Sequence, residues 1–141
     1  LIGLAALILA ALFAGAALYI NLVEVPARRL LAPAAARTEW AEAYRRGYVM
    51  QAGLALLSGV CGLVVWWRWG LSPQLLGGLL MLANWPWTLI AIMPVNRRLL
   101  ATSEDDPIVL QLLSRWAKLH GVRTLLGFAA AFCFALPYIT R

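Results

Sequence analysis

The sequence predicts an all-α fold, a four-helix bundle integral to a membrane, and three observations predict it. Of the 141 residues, 63% are hydrophobic and 13% charged, against ~45–50% and ~25% in soluble domains. Mean hydropathy is +0.80. The apolar residues gather into four runs with short polar connections, which leaves no room for a large extramembrane domain, so one domain over residues 1–141 is expected. Net charge is +6, but the basic residues stand beside the apolar runs rather than forming a patch interleaved with aromatics. That pattern names the lipid bilayer as a partner and excludes nucleic acid.

Residues 2–23 carry no charge, and at ~1.5 Å per residue they reach ~33 Å, enough to cross a hydrocarbon core. Ala34, Ala35 and Ala36 loosely resemble a signal-peptide cleavage site, yet the run is too long and Arg28 and Arg29 follow it, so no cleavage is expected. The second helix is expected over about residues 47–67. Trp66, Trp67 and Trp69 around Arg68 form an aromatic belt, and Gly70 and Pro73 turn the chain into a third helix over about 73–94. Pro86 within it predicts a kink. Asp106 before Pro107 reads as an N-cap, opening a helix over 107–139 whose membrane part is about 119–139.

Basic residues fix the expected orientation. Arg28, Arg29, Arg37, Arg45 and Arg46 fall in the first connection and Arg97, Arg98, Arg115 and Lys118 in and after the third, whereas the second holds only Arg68. The positive-inside rule then puts both basic connections in the cytoplasm and both termini outside, with a bacterial inner membrane as the expected bilayer.

At 100° per residue, Gly3, Ala6, Ala10, Ala14, Ala17, Asn21 and Glu24 share one stripe of the first helix. Tyr44, Gly47, Gln51, Ala55, Ser58 and Gly62 form the matching stripe on the second. Gln74, Gly77, Met81, Asn84 and Thr88 do so on the third, and Trp116, His120, Arg123 and Gly127 on the fourth. Small and polar residues let helices approach closely in lipid, so these stripes are expected to face inward. Asn21, Glu24, Tyr44, Arg45, Gln51, Asn96, Arg97, His120 and Arg123 would then converge near the cytoplasmic end. Ionisable groups at membrane depth cost at least ~2.5 kcal/mol at the centre and are paired or functional. A plainer alternative has Arg45, Arg97 and Arg123 anchor helix ends among headgroups, with Glu24 as an ion-pair partner.

The chain holds one His and two Cys, Cys61 and Cys133, with no CxxC. Neither a zinc site, a six-coordinate haem nor a disulfide is expected, and a His120–Glu24 pair is the only donor set for iron or copper. No metal and no cofactor are therefore assigned. His120 shares a helix face with Trp116 and Arg123. It is the one side chain here whose unperturbed pKa suits proton transfer near neutrality.

Four stretches carry a family resemblance: Leu12–Pro26 (LFAGAALYINLVEVP), Trp40–Leu54, Met93–Leu100 (MPVNRRLL) and Trp116–Gly127 (WAKLHGVRTLLG). They resemble the anthrone-oxygenase-like family of small four-helix membrane proteins. Pro94, Val95, Asn96 and Arg97, with Trp116, His120, Arg123 and Thr124, are its most specific pieces. The resemblance implies oxidation of an anthrone methylene to a quinone carbonyl by dioxygen, with no evident organic cofactor. His120 would then remove the methylene proton, and Arg123, Asn96 or Arg97 would stabilise the enolate oxygen. Trp116 and Tyr44 would supply flat walls, with Asn21, Glu24 and Gln51 beside the polar edge. The competing class is a non-catalytic subunit of a larger membrane complex, or a homo-oligomer, that binds lipid or pigment. A transporter would want an ionisable residue at the bilayer midplane, and Glu24 lies at a helix end.

Overall fold

The computed structural model describes residues 1–140; Arg141 lies outside the described residues. Four long helices make up nearly all of it: α1 (Ile2–Arg28), α2 (Pro33–Trp69), α3 (Ser72–Ala101) and α4 (Ile108–Ile139). Each is long and apolar enough to span a membrane, and no strand occurs among the described residues. α1 and α3 each pack against both α2 and α4, while the diagonal pairs barely meet. Leu4, Ile8, Leu12, Leu57, Leu76, Leu89, Phe128 and Phe132 stand exposed around the outside. Such a girdle is stable against lipid and not against water. The chain is a membrane-integral four-helix bundle.

The helices extend beyond the apolar runs. α2 begins at Pro33 rather than near residue 47, and α1 runs to Arg28, so the first connection shrinks to residues 29–32. Hydropathy reports lipid-facing length, whereas Pro33–Arg46 is helix held by packing: Ala36 and Trp40 are fully buried. At 37 residues α2 is ~56 Å long, well beyond a ~30 Å hydrocarbon core. α3 likewise continues through Pro86 and Pro94 to Ala101. At the far end, Gly70 adopts φ +67° and its N–H donates to the Trp66 carbonyl at 2.7 Å, closing the Trp-rich turn. α4 starts one residue later than expected, with Pro107 and not Asp106 at the N-cap, and Asp106 Oδ1 accepts from the Ile108 N–H at 2.9 Å.

Two turns are wider than α-helical. Ile20–Glu24 in α1 and Thr88–Ile92 in α3 are π turns, closed by Val25 N–H to Ile20 and Met93 N–H to Thr88. Proline follows each closing residue, as Pro26 and Pro94. π turns insert one extra residue and shift the face presented by everything beyond them.

Close packing at small residues locks the half of the bundle near the chain termini. Phe134 is fully buried and sits against Gly62 and Gly77, where an added Cβ would come within 2.6 Å of its ring. That ring fills the space the small stripes of α2 and α3 leave open. The buried apolar residues form two separate clusters. One holds Ala6, Ala10, Phe13, Ala55, Met81, Ala130 and Phe134. The other, at the end bearing most of the basic residues, holds Val25, Trp40, Ile92, Val95, Leu99, Val109, Leu112 and Trp116 among others. On each helix a polar position lies between members of the two: Asn21 on α1, Gln51 on α2, Asn84 and Thr88 on α3, His120 and Arg123 on α4.

Candidate active site

That intermediate layer is where side chains of functional character meet. His120 is 1% exposed, and its Nδ1 lies 2.7 Å from Asn21 Oδ1. An amide oxygen only accepts, so Nδ1 carries the proton and Nε2 keeps its lone pair. The Asn21 amide fits because residue 121 is glycine: a Cβ there would stand 3.2 Å from Asn21 Nδ2. The His120 ring stacks on Trp116 with centroids 4.9 Å apart. Trp87 Nε1 donates to the Leu119 carbonyl at 3.0 Å, tying α3 to α4 one residue before His120.

Two cavities adjoin this layer. One, of about 340 Å³, is lined by Tyr44, Gly47, Tyr48, Gln51, Thr88, Ile92, Trp116, His120 and Arg123. The other, of about 330 Å³, is lined by Tyr48, Ala52, Ala55, Asn84, Trp85, Thr88, Leu89 and Arg123. Tyr48, Thr88 and Arg123 belong to both walls, so the two form neighbouring compartments of one slot. Both are open at the mouth, and most of each volume is open space rather than enclosed cavity.

Arg123 is the buried cation of the slot. It is 9% exposed, its guanidinium lies 5.4 Å from the Phe13 ring centroid, and no carboxylate pairs with it among the described residues. Its Nε has no hydrogen-bond partner, and neither do Gln51 Nε2 and Trp116 Nε1. Unused buried donors are costly, and here three belong to residues of one wall.

The sequence of this region decides the family. The anthrone oxygenase family profile matches residues 40–133, from within α2 to late in α4. This chain belongs to the anthrone oxygenase family. An anthrone oxygenase of Claviceps purpurea (strain 20.1) is 30% identical over 114 residues, spanning 70% of this chain and 65% of that protein. No solved structure matches the chain. The region shared with the anthrone oxygenase family holds Tyr44, Gln51, Asn96, Arg97, Trp116, His120 and Arg123, while Asn21 and Glu24 precede it.

Of the residues singled out from the sequence, His120, Arg123, Tyr44, Gln51 and Trp116 line the larger compartment, and Asn21 reaches it through His120. Glu24, Asn96 and Arg97 do not line either compartment. Asn96 is 1% exposed but follows Thr88 by two helical turns, ~12 Å along α3, within the basic-end cluster between Val95 and Leu99. Arg97 is exposed on the other side of that helix. Glu24 pairs with Arg28 at 3.4 Å rather than with His120. No group of three or more His, Cys, Asp or Glu side chains is placed to hold a metal ion among the described residues, and both cysteines are free.

Arg28 is the residue sequence reasoning missed. It is 4% exposed, pairs with both Glu24 and Glu39, and its guanidinium lies 5.9 Å from the Trp116 ring centroid. The i,i+4 spacing of Glu24 and Arg28 was the available signal. Trp40 was the other omission: it stacks on Tyr44 at 5.4 Å and meets Trp116 edge-on at 6.2 Å, bracing two walls of the slot.

Proposed function

We propose that the protein oxidises a polycyclic aromatic ketone of the anthrone type, or a related hydroquinone, with dioxygen, using His120 as general base. The observation that carries this reading is the pairing in one wall of an imidazole oriented through Nδ1 with a buried cation that lacks a carboxylate partner. Nε2 of His120 takes one methylene proton, and the electron pair left behind moves onto the ketone oxygen as an enolate. Arg123 stabilises that oxygen, assisted by the free amide N–H of Gln51. The enolate gives an electron to dioxygen and the resulting pair joins as a peroxide, which His120 protonates. Loss of the second methylene hydrogen with cleavage of the O–O bond leaves a carbonyl and one water. Tyr44, Tyr48 and Trp116 hold the flat substrate against apolar faces.

The deciding experiment is dioxygen uptake by purified protein in nanodiscs with anthrone as substrate. His120→Ala is expected to lower the rate ~10²–10⁴-fold with the bundle folded, as loss of a general base does. Full activity in that variant would remove His120 from the mechanism. Absence of uptake by the unaltered chain with any anthrone or hydroquinone would leave the non-catalytic reading, a subunit binding lipid or pigment or assembling with other membrane proteins.

From the distribution of basic residues we further propose that both termini lie outside and the basic helix ends face the cytoplasm, with a bacterial inner membrane as the bilayer. Thr38 is exposed near the start of α2. In a chain whose Cys61 and Cys133 are replaced by alanine, Thr38→Cys should resist an impermeant thiol reagent added to intact cells; labelling from outside would reverse the topology.

A further inference from the structure

A third hollow lies outside the slot, between the end of α1 and the first turns of α4. It is lined by Val25, Arg28, Arg29, Leu110, Leu113 and Ser114 and encloses about 70 Å³, more than either compartment of the slot. A single water needs ~10–15 Å³, so a group carrying several oxygens fits. Both charged residues of the wall are arginines, and no acid lines it. The oxidation proposed above uses none of these residues.

Three donors remain for a ligand here. Arg28 donates through Nε and Nη2 to Glu39 and Glu24, which leaves Nη1 without an acceptor among the described residues. Arg29 is exposed, and no carboxylate pairs with it among the described residues. Ser114 is half-buried and its hydroxyl makes no hydrogen bond, whereas Thr88, Thr102 and Thr140 each donate to the carbonyl four residues back. Two further cations, Arg115 and Lys118, stand exposed on α4 within a turn of Ser114. Four cations thus face the two acids Glu24 and Glu39, and the excess charge is positive.

The depth of the hollow selects its ligand. The uncharged run of α1 ends at Val23, so Arg28 and Arg29 stand where the hydrocarbon core gives way to headgroups. Leu22 and Val23, one turn earlier, are exposed, as is Leu110 on α4. Acyl chains can cover these apolar flanks, which a soluble anion would leave bare. We propose that the hollow binds the phosphate of an anionic phospholipid, received by Arg28, Arg29 and Ser114, with the acyl chains lying along α1 and α4. A zwitterionic lipid offers the same phosphate but brings an ammonium to a wall whose charges are both positive. The assignment does not depend on the oxidation reading.

Native mass spectrometry of delipidated protein in neutral detergent tests this in the absence of a charged membrane surface. Dioleoyl phosphatidylglycerol should bind as one molecule per chain and about tenfold more tightly than dioleoyl phosphatidylcholine, the worth of one charge-assisted hydrogen bond. Millimolar inorganic phosphate should not displace it. Arg29→Gln and Ser114→Leu should each weaken phosphatidylglycerol binding about fivefold to tenfold, with helicity by circular dichroism unchanged. Arg98→Gln removes an equal exposed charge outside the hollow and should change the affinity by less than about twofold. Equal affinities for the two lipids would overturn the proposal, as would equal losses in Arg98→Gln and Arg29→Gln, which mean diffuse attraction to the basic end. Displacement by inorganic phosphate would overturn it too, making the hollow a site for a soluble anion.

Discussion

His120 Nδ1 and Asn21 Oδ1 lie 2.7 Å apart although 99 positions separate them in the chain. The bond joins α4 to α1 within the π turn, and it selects the tautomer in which Nε2 is the basic nitrogen. Asn21→Leu should therefore leave the ring present but unoriented. A fall in kcat of about tenfold to a hundredfold is expected, the range of ~1–3 kcal/mol for a buried hydrogen bond, with Asn21→Asp restoring much of it. Because the chain has a single histidine, ¹⁵N-histidine NMR reads the tautomer directly. An unchanged spectrum in Asn21→Leu would refute the orienting role.

Arg123 is expected to act on the enolate and not on the proton. Arg123→Leu should cost ~10²–10³ in kcat, as loss of an oxyanion donor does. Raising the pH supplies hydroxide to replace a missing base but nothing to replace a missing cation. Dioxygen uptake at alkaline pH should thus recover further in His120→Ala than in Arg123→Leu. Equal recovery in both would contradict the division of roles.

The Arg28 cluster predicts an order of stabilities. Arg28 is 4% exposed, whereas Glu24 and Glu39 are 28% and 42% exposed. Arg28→Met leaves two carboxylates that water reaches, while Glu39→Gln leaves a buried cation with one partner. Stranding a fully buried charge costs ~3–5 kcal/mol, and the exposure of Glu39 reduces this to about 1–3 kcal/mol. Thermal unfolding in detergent should show Glu39→Gln lowering Tm more than Arg28→Met does; the reverse order would mean that the pairs contribute little.

Gly77→Ala should destabilise the bundle by about 1–3 kcal/mol, because its Cβ would meet the Phe134 ring at 2.6 Å and that ring is fully enclosed. Phe134→Leu should be costly alone yet less so together with Gly77→Ala. Additive losses of Tm in the double variant would show that the two positions do not share this space.

Much of this arrangement was legible in the sequence. The α4 face holding Trp116, His120, Arg123 and Gly127 is buried as 100° spacing requires, because α4 contains no π turn. α1 follows the same arithmetic through Ala17 and then departs from it. The extra residue in Ile20–Glu24 advances the inward face by one position, so Val25 and Arg28 are buried and Glu24 is only part-buried. Regular periodicity consequently selected Glu24 for the site and passed over Arg28. Asn96 was misplaced for a different reason: hydropathy ended the third helix near residue 94, whereas α3 carries Asn96 onward to the basic-end cluster.

The division of the interior into two apolar clusters bears on how the bundle breathes. A layer of polar side chains between them, some with buried donors left unused, contributes less cohesion than either cluster, so the two halves are the natural cooperative units of local opening. A ligand lodged in the slot touches both, through Ile92 and Trp116 on one side and Ala55 on the other. Its occupancy is expected to tie the two halves together, making amide exchange a readout of ligand binding that requires no turnover.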